Sequence, residues 1–175
     1  MQPFRQGDLD GLCGVYSVLN ALKSLGYREN LEGWQVILAE IFEYLHENKK
    51  STFFFIEGIN TPDISRVLKH IACINHSITY SKPFHNRLVS LAELWETLQS
   101  HFESDNKRSA ILCIEGQYYS HWTVVASISE KRLTLFDSDR IKWINRCQCT
   151  TSELTDKHTV SIHPPALFLL ERSIS

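Results

Sequence analysis

The chain has 175 residues, enough for one domain with a genuine core, and 43% hydrophobic against 22% charged residues excludes a disordered segment. Its 18 basic and 20 acidic residues nearly cancel, and no basic stripe with interleaved aromatics is present, which excludes the electrostatic footprint of a nucleic-acid binder. Five cysteines, at positions 13, 73, 113, 147 and 149, form no regular disulfide framework, so a reducing compartment and at least one free thiol are expected.

Leu12 to Leu25 carries apolar residues at helical spacing and ends at Gly26, which predicts a buried helix with Cys13 in its first turn. A second helix is predicted from Asn30 as cap through Leu45, ending in the polar run HENKKS. The segment TFFFIEGI, residues 52–59, is short, aromatic and β-prone, and is expected as a strand or a buried loop. Thr61, Pro62 and Asp63 open a third helix with proline in its first turn, and a fourth covers Leu91 to Phe102. After Lys107 the texture changes: SAILCIEG, HWTVVASIS, KRLTLFDSD and ALFLLER read as strands of an antiparallel sheet. EKR between Ser129 and Leu133 is a hairpin turn, and the polar stretch from Arg146 to His163 a loop excursion. Helices first and strands afterwards predict a single α+β domain, with residues 1–105 a mainly helical lobe and 106–175 a mainly β lobe. Apolar runs such as 52–56 and 166–170 are too short to span a bilayer, and MQPFRQGDLDG has no apolar signal region. A soluble protein is expected, cytoplasmic or delivered from the cytoplasm by a specialised route, with no membrane partner.

The chemistry concentrates in two segments. In QGDLDGLCGVYSVLNAL, Cys13 opens an apolar helix. A thiol with a free pKa of about 8.5 is a poor nucleophile until deprotonated, and unpaired N–H dipoles at a helix N-terminus favour the thiolate. Gly11 and Gly14 would let a substrate backbone approach, and the Cys13 N–H could face a developing oxyanion. By itself this describes a compact core cysteine equally well.

The second segment, GQYYSHWTVVASISEKRLTLFDSD, places His121 at a strand start and Asp137 at the end of the next strand, sixteen residues on. Paired strands bring the two side by side, and an imidazole needs a third group to fix its tautomer. Asp139 competes with Asp137, because strict alternation puts both on one face. Tyr119 and Trp122, flanking the base, are expected to contact substrate.

A glutamine, then GLCG, then HW opening a strand, then an acid sixteen residues later resembles the papain-like cysteine peptidases, and most closely the bacteriocin-processing branch that cuts after double-glycine leaders. The resemblance implies a papain-like α+β fold, a Cys13–His121–Asp137 triad, a protein or peptide substrate, no cofactor or metal, and a bacterial source. It further implies an upstream glutamine as oxyanion donor; Gln6 is the candidate, seven positions before Cys13 where the family usually has six. A shorter resemblance, Asp10-Gly11-Leu12-Cys13, is to the ovarian-tumour type deubiquitinases. It implies instead an oxyanion hole from the backbone of Asp8 to Leu12.

Taken together, the residues predict an amide hydrolase acting through an acyl-enzyme. The same triad could serve a deamidase or transglutaminase, and a non-catalytic binding module of the same shape is the main alternative. With the nucleophile twelve residues from Met1, no inhibitory propeptide is expected. Cys147, Cys149, His158 and His163 have a C-x-C and H-x4-H spacing that is not a structural zinc pattern, and they read as ordinary loop or strand residues. His70, His76, His85 and His101 have no partner pattern. Oligomeric state is not encoded in any motif.

Overall fold

The computed structural model describes residues 1–7, 10–49, 53–74, 77–103 and 106–173. Among the described residues the α-helices come in the order α1 (Cys13–Ser24), α2 (Leu31–Lys49), α3 (Phe54–Glu57), α4 (Thr61–Ile74) and α5 (Leu91–Phe102). Strand β1 (Ile78–Ser81) lies between α4 and α5, and β2 (Lys107–Glu115), β3 (Ser120–Ile128), β4 (Arg132–Leu135), β5 (Trp143–Asn145), β6 (Cys149–Thr150), β7 (Val160–Ile162) and β8 (Phe168–Arg172) follow.

Local chemistry explains the helix ends. After α1 the chain reverses at Gly26, which has a φ of +80°; Gly26 N–H donates to the Lys23 carbonyl at 3.0 Å and Tyr27 N–H to that of Leu22 at 3.2 Å. This is a Schellman closure, and it needs a residue without a Cβ. Asn30 caps α2 by accepting from Gly33 N–H at 2.8 Å. α4 opens at Thr61 as expected, capped by Asn60: Asp63 N–H donates to Asn60 Oδ1 at 3.0 Å and Asn60 N–H to Asp63 Oδ2 at 3.1 Å, a reciprocal capping box. Ser90 accepts from Glu93 N–H at 3.2 Å to start α5.

Two expectations are corrected. Residues 54–57 form a short helix, because Ile56 and Glu57 N–H both turn back to the Phe53 carbonyl; Thr52 lies outside the described residues. Helix α2 extends into the run HENKKS as far as Lys49, and residues 50–51 lie outside the described residues. The excursion from Arg146 to His163 contains β6 and β7, and Trp143–Asn145 and Ile78–Ser81 are further strands, all too short to show a period.

The sheet runs β1-β8-β2-β3-β4-β5, with β7 also on β2 and β6 on β7. Its pairs are antiparallel except β6 with β7. Alternation along the central strands splits the core in two. Ile111, Cys113, Trp122, Val124, Phe168 and Leu170 meet α1, α2 and α4 on one face. Ala110, Leu112, Ile114, Val125 and Leu133 meet Leu94, Trp95 and Leu98 of α5 on the other. The first 105 residues are therefore not one helical lobe: α5 covers the opposite side of the sheet, and β1 joins the sheet at its β8 edge. No helix among the described residues is long and apolar enough to cross a membrane.

The N-terminal segment is strapped to α1 by Asn20, a fully buried side chain that accepts from Phe4 N–H at 2.7 Å and donates to the Phe4 carbonyl at 3.1 Å. Replacing Asn20 by Ala leaves both backbone groups short of a partner. The expected loss is about 1–3 kcal/mol, read as a lowered urea midpoint at unchanged m-value.

Candidate active site

Cys13 is the first residue of α1, half-buried, and Leu12 before it provides no side-chain cap. The N-terminal amides of the helix thus face the thiol's surroundings. Asp10 shapes the approach: its carboxylate accepts from Gly7 N–H at 2.8 Å and Leu12 N–H at 3.1 Å.

The two glycines around Cys13 do something other than admit substrate. A Cβ on Gly11 would lie 2.2 Å from the Ile56 carbonyl oxygen and 2.8 Å from Gly58 nitrogen, and one on Gly58, with φ +78°, would lie 2.7 Å from the Gly11 carbonyl oxygen. Two backbones cross here, fastened by Gly11 N–H donating to the Phe55 carbonyl at 2.8 Å. A Cβ on Gly14 would meet Ile59 Cγ1 at 2.5 Å and Trp122 Cδ1 at 3.3 Å. Trp122 is itself buried at 7% exposure and donates Nε1–H to the Ile59 carbonyl at 2.9 Å. Gly11, Gly14 and Trp122, expected at the substrate, also clamp the 55–59 segment against α1 and β3. Tyr119 is 48% exposed, and its ring lies over Gly116 in the β2–β3 turn.

His121 stands near the start of β3, 5% exposed, and Asp137 follows β4 at 3%. The ladder pairs Val125 with Leu135 and continues through Phe136 N–H to the Val124 carbonyl at 2.8 Å. Asp137 is thereby set opposite Thr123, one diagonal step from His121. His121 Nε2 lies 2.7 Å from Asp137 Oδ2. Asp137 Oδ1 accepts from Asp139 N–H at 2.7 Å and Ile141 N–H at 3.1 Å. Asp139, exposed, supplies a backbone donor to the acid rather than the acid itself; β4 stops at Leu135, so strand alternation does not reach these residues. The Thr123 hydroxyl is buried beside the Asp137 carboxylate and helps keep it ionised, though the contact falls short of regular hydrogen-bond geometry.

Burial of the His121 ring opposes its charge, yet hydrogen bonds and charge from Asp137 and Cys13 outweigh that and raise its pKa from 6.5 to about 9. With Nε2 engaged by Asp137, the nitrogen left for the Cys13 thiol is Nδ1. Burial pushes the Asp137 carboxyl up, but bonds from His121 and its neighbours leave it below the usual carboxylate value.

Gln6 is held at the same end. Its N–H donates to the Ser138 carbonyl at 3.4 Å, and Ser138 Oγ donates to Gln6 Oε1 at 3.3 Å. With Oε1 taken, both Nε2 hydrogens are left without a partner among the described residues. The alternative oxyanion loop, Asp8 to Leu12, begins outside the described residues at Asp8 and Leu9. Its Gly11 and Leu12 N–H groups are already spent on Phe55 and Asp10. Sequence reasoning passed over Ser138, Asp10 and Gly58. Only Asp10 left a signal, as part of the Asp-Gly-x-Cys run.

Of the other cysteines, Cys149 is buried and donates to the Asn145 carbonyl at 3.3 Å, with burial pushing its thiol up to about 12, while Cys147 and Cys73 are exposed. No group of three or more His, Cys, Asp or Glu side chains among the described residues is placed to hold a metal ion. His101 is a structural residue, its Nε2 lying 3.0 Å from the Ser109 carbonyl and 3.2 Å from that of Leu170. His76 lies outside the described residues.

No family model matches the chain, and no curated protein matches it. Among solved structures it is similar to the peptidase domain of Streptococcus ComA, a bifunctional ABC transporter involved in a quorum-sensing pathway, at 16% identity and a TM-score of 0.50 over 98% of each chain. The likeness is one of fold: helices with an antiparallel sheet, arranged as in a peptidase domain.

A raised folded pKa means that His121 contributes stability that is complete below its unfolded value near 6.5 and is lost as pH rises through about 9. NMR titration of the ring is expected to give a midpoint near 9, falling below the ordinary histidine value in Asp137→Asn together with Cys13→Ala, where burial acts unopposed.

Proposed function

We propose that this chain is a thiol hydrolase of the papain type, folded as one catalytic domain, that cleaves an amide bond in a protein or peptide through Cys13, His121 and Asp137. The observation that carries this reading is the buried His121 ring, bonded to Asp137 at 2.7 Å through Nε2 and near enough to the helix-N-terminal Cys13 for the cysteine to help raise its pKa. The fold it shares with a peptidase domain supports the same reading.

A histidine titrating near 9 is protonated at neutral pH, so His121 stands as an imidazolium beside the Cys13 sulfur. The Cys13 sulfur attacks the carbonyl carbon, and the oxyanion is met by the Cys13 N–H and by Gln6 Nε2. Imidazolium gives its proton to the departing amine, leaving neutral His121 and a thioester. Neutral His121 then takes a proton from water, whose hydroxide equivalent attacks the thioester; the C–S bond breaks to release the carboxylic acid and the Cys13 sulfur as thiolate, and His121 keeps the proton, which restores the ion pair. Asp137 holds the ring and stabilises its positive charge throughout.

Peptides related to double-glycine leaders are the first substrates to test, given the branch that the QGDLDGLCG and HWTVV segments resemble. Iodoacetamide at neutral pH should alkylate Cys13 at least about tenfold faster than exposed Cys73 or Cys147, and His121→Ala should erase the difference. Equal labelling of the three would mean a binding module instead. In a turnover assay Cys13→Ala should reduce activity to background, and Gln6→Ala should lower kcat about 10²–10³-fold with little change in KM.

A further inference from the structure

One amide in the site can act in only one of its two orientations. Gln6 carries an oxygen and a nitrogen on a flat terminal group that is nearly symmetric in shape, so a half-turn about the last side-chain bond exchanges them. With Nε2 toward Cys13 the group donates to a developing oxyanion; with Oε1 there it opposes one. Nothing in the glutamine itself selects the first arrangement.

The selection comes from Ser138. Its Oγ donates to Gln6 Oε1 at 3.3 Å, and the Gln6 N–H donates to the Ser138 carbonyl at 3.4 Å. Ser138 is 3% exposed, so its hydroxyl has little access to water and needs a protein acceptor, which Oε1 provides. Turned over, the amide would donate to Oγ and leave the hydroxyl proton buried without a partner, the costlier state. Both sides of the contact are held. The chain around Ser138 is fixed by the Asp139 and Ile141 N–H groups on Asp137 Oδ1, at 2.7 and 3.1 Å. The N-terminal segment is fastened two residues before Gln6, where Phe4 exchanges hydrogen bonds with Asn20 and its ring meets that of Trp34 edge-on at 5.1 Å between centroids, with Lys23 Nζ 3.9 Å from its own centroid.

Resting on the reading of Cys13 as nucleophile and Gln6 as oxyanion donor, we infer that Ser138 is a positioning residue of the oxyanion hole, its hydroxyl taking up Gln6 Oε1 and so turning Nε2 toward the sulfur. Asp137 and Ser138, consecutive in the chain, then serve the two halves of the reaction. One holds the base and the other holds the donor.

The test compares two reactions at Cys13 of the full chain. The p-nitrophenyl ester of acetyl-glycyl-glycine acylates it through a tetrahedral oxyanion: the thiolate forms a C–S bond to the carbonyl carbon, the ester C–O bond breaks and p-nitrophenolate leaves. Iodoacetamide alkylates it with no oxyanion, the thiolate forming a C–S bond at the methylene carbon as iodide leaves. The ratio of the two rates, read at Cys13 by quenched mass spectrometry, cancels any change in thiol reactivity common to both and reports the oxyanion hole. Ser138→Ala should lower the ratio about three- to tenfold, the worth of one neutral hydrogen bond, and Ser138→Thr, which keeps the hydroxyl, should restore most of it. Gln6→Ala should lower it further, and adding Ser138→Ala to Gln6→Ala should change nothing more, because the serine acts only through the glutamine. The His121 ring should still titrate near 9 in Ser138→Ala, which separates loss of the donor's hold from loss of the acid. An unchanged ratio in Ser138→Ala, or losses that multiply in the double variant, overturns the positioning role. An unchanged ratio in Gln6→Ala overturns it too and leaves the Cys13–His121–Asp137 reading standing. If neither reagent modifies wild-type Cys13 ahead of exposed Cys73 and Cys147, the nucleophile reading falls with it.

Discussion

A buried hydrogen bond of 2.7 Å between His121 and Asp137 sets the terms for much of the surrounding structure. A carboxylate with almost no exposure is costly unless its oxygens are satisfied, and each oxygen here has its own donors. One faces the imidazole, and the other takes the Asp139 and Ile141 amides. That second requirement explains why β4 ends at Leu135 and the chain wraps around its own side chain at 137–141 instead of continuing as a strand. The same wrap presents the Ser138 carbonyl and hydroxyl to Gln6, so the segment that holds the acid also orients the upstream amide.

The cysteine side is arranged by steric exclusion more than by polar bonds. Gly11 and Gly58 pass at distances that no Cβ would allow, and Gly14 lets Ile59 and Trp122 pack down onto the first turn of α1. The Trp122 indole then fixes the Ile59 carbonyl. Because Trp122 adjoins His121 and Gly14 adjoins Cys13, this packing determines how closely base and thiol stand. Asp10 and Asn20 hold the chain on either side of the crossing. The 55–59 segment is thus part of the site's frame even though none of its side chains takes part in the proposed chemistry.

Legibility in the sequence followed length and period. Helix α1 shows five apolar repeats and a glycine stop, and α5 a Ser-x-x-Glu cap, so both could be read to within a residue. Strands β2 and β3 run nine residues each and were equally plain. Residues 54–57 were not, because a four-residue apolar run has no period to distinguish helix from strand. Strands β5, β6 and β7, of two or three residues, exist only because a neighbour offers backbone partners. The placement of α5 across the sheet from α1 is also invisible locally, since both helices simply present an apolar stripe.

By itself the sequence determined the residue types and their order: a cysteine at a helix start, a histidine opening a strand, an acid after the following strand. These depend on local periodicity and capping, which act between residues a few positions apart. Only the tertiary structure decided between Asp137 and Asp139, committed the Gly11 and Leu12 amides elsewhere, and gave Gly11, Gly14 and Trp122 a packing role. Each of those outcomes rests on contacts between segments distant along the chain, where burial and the need to satisfy every buried polar group select one arrangement.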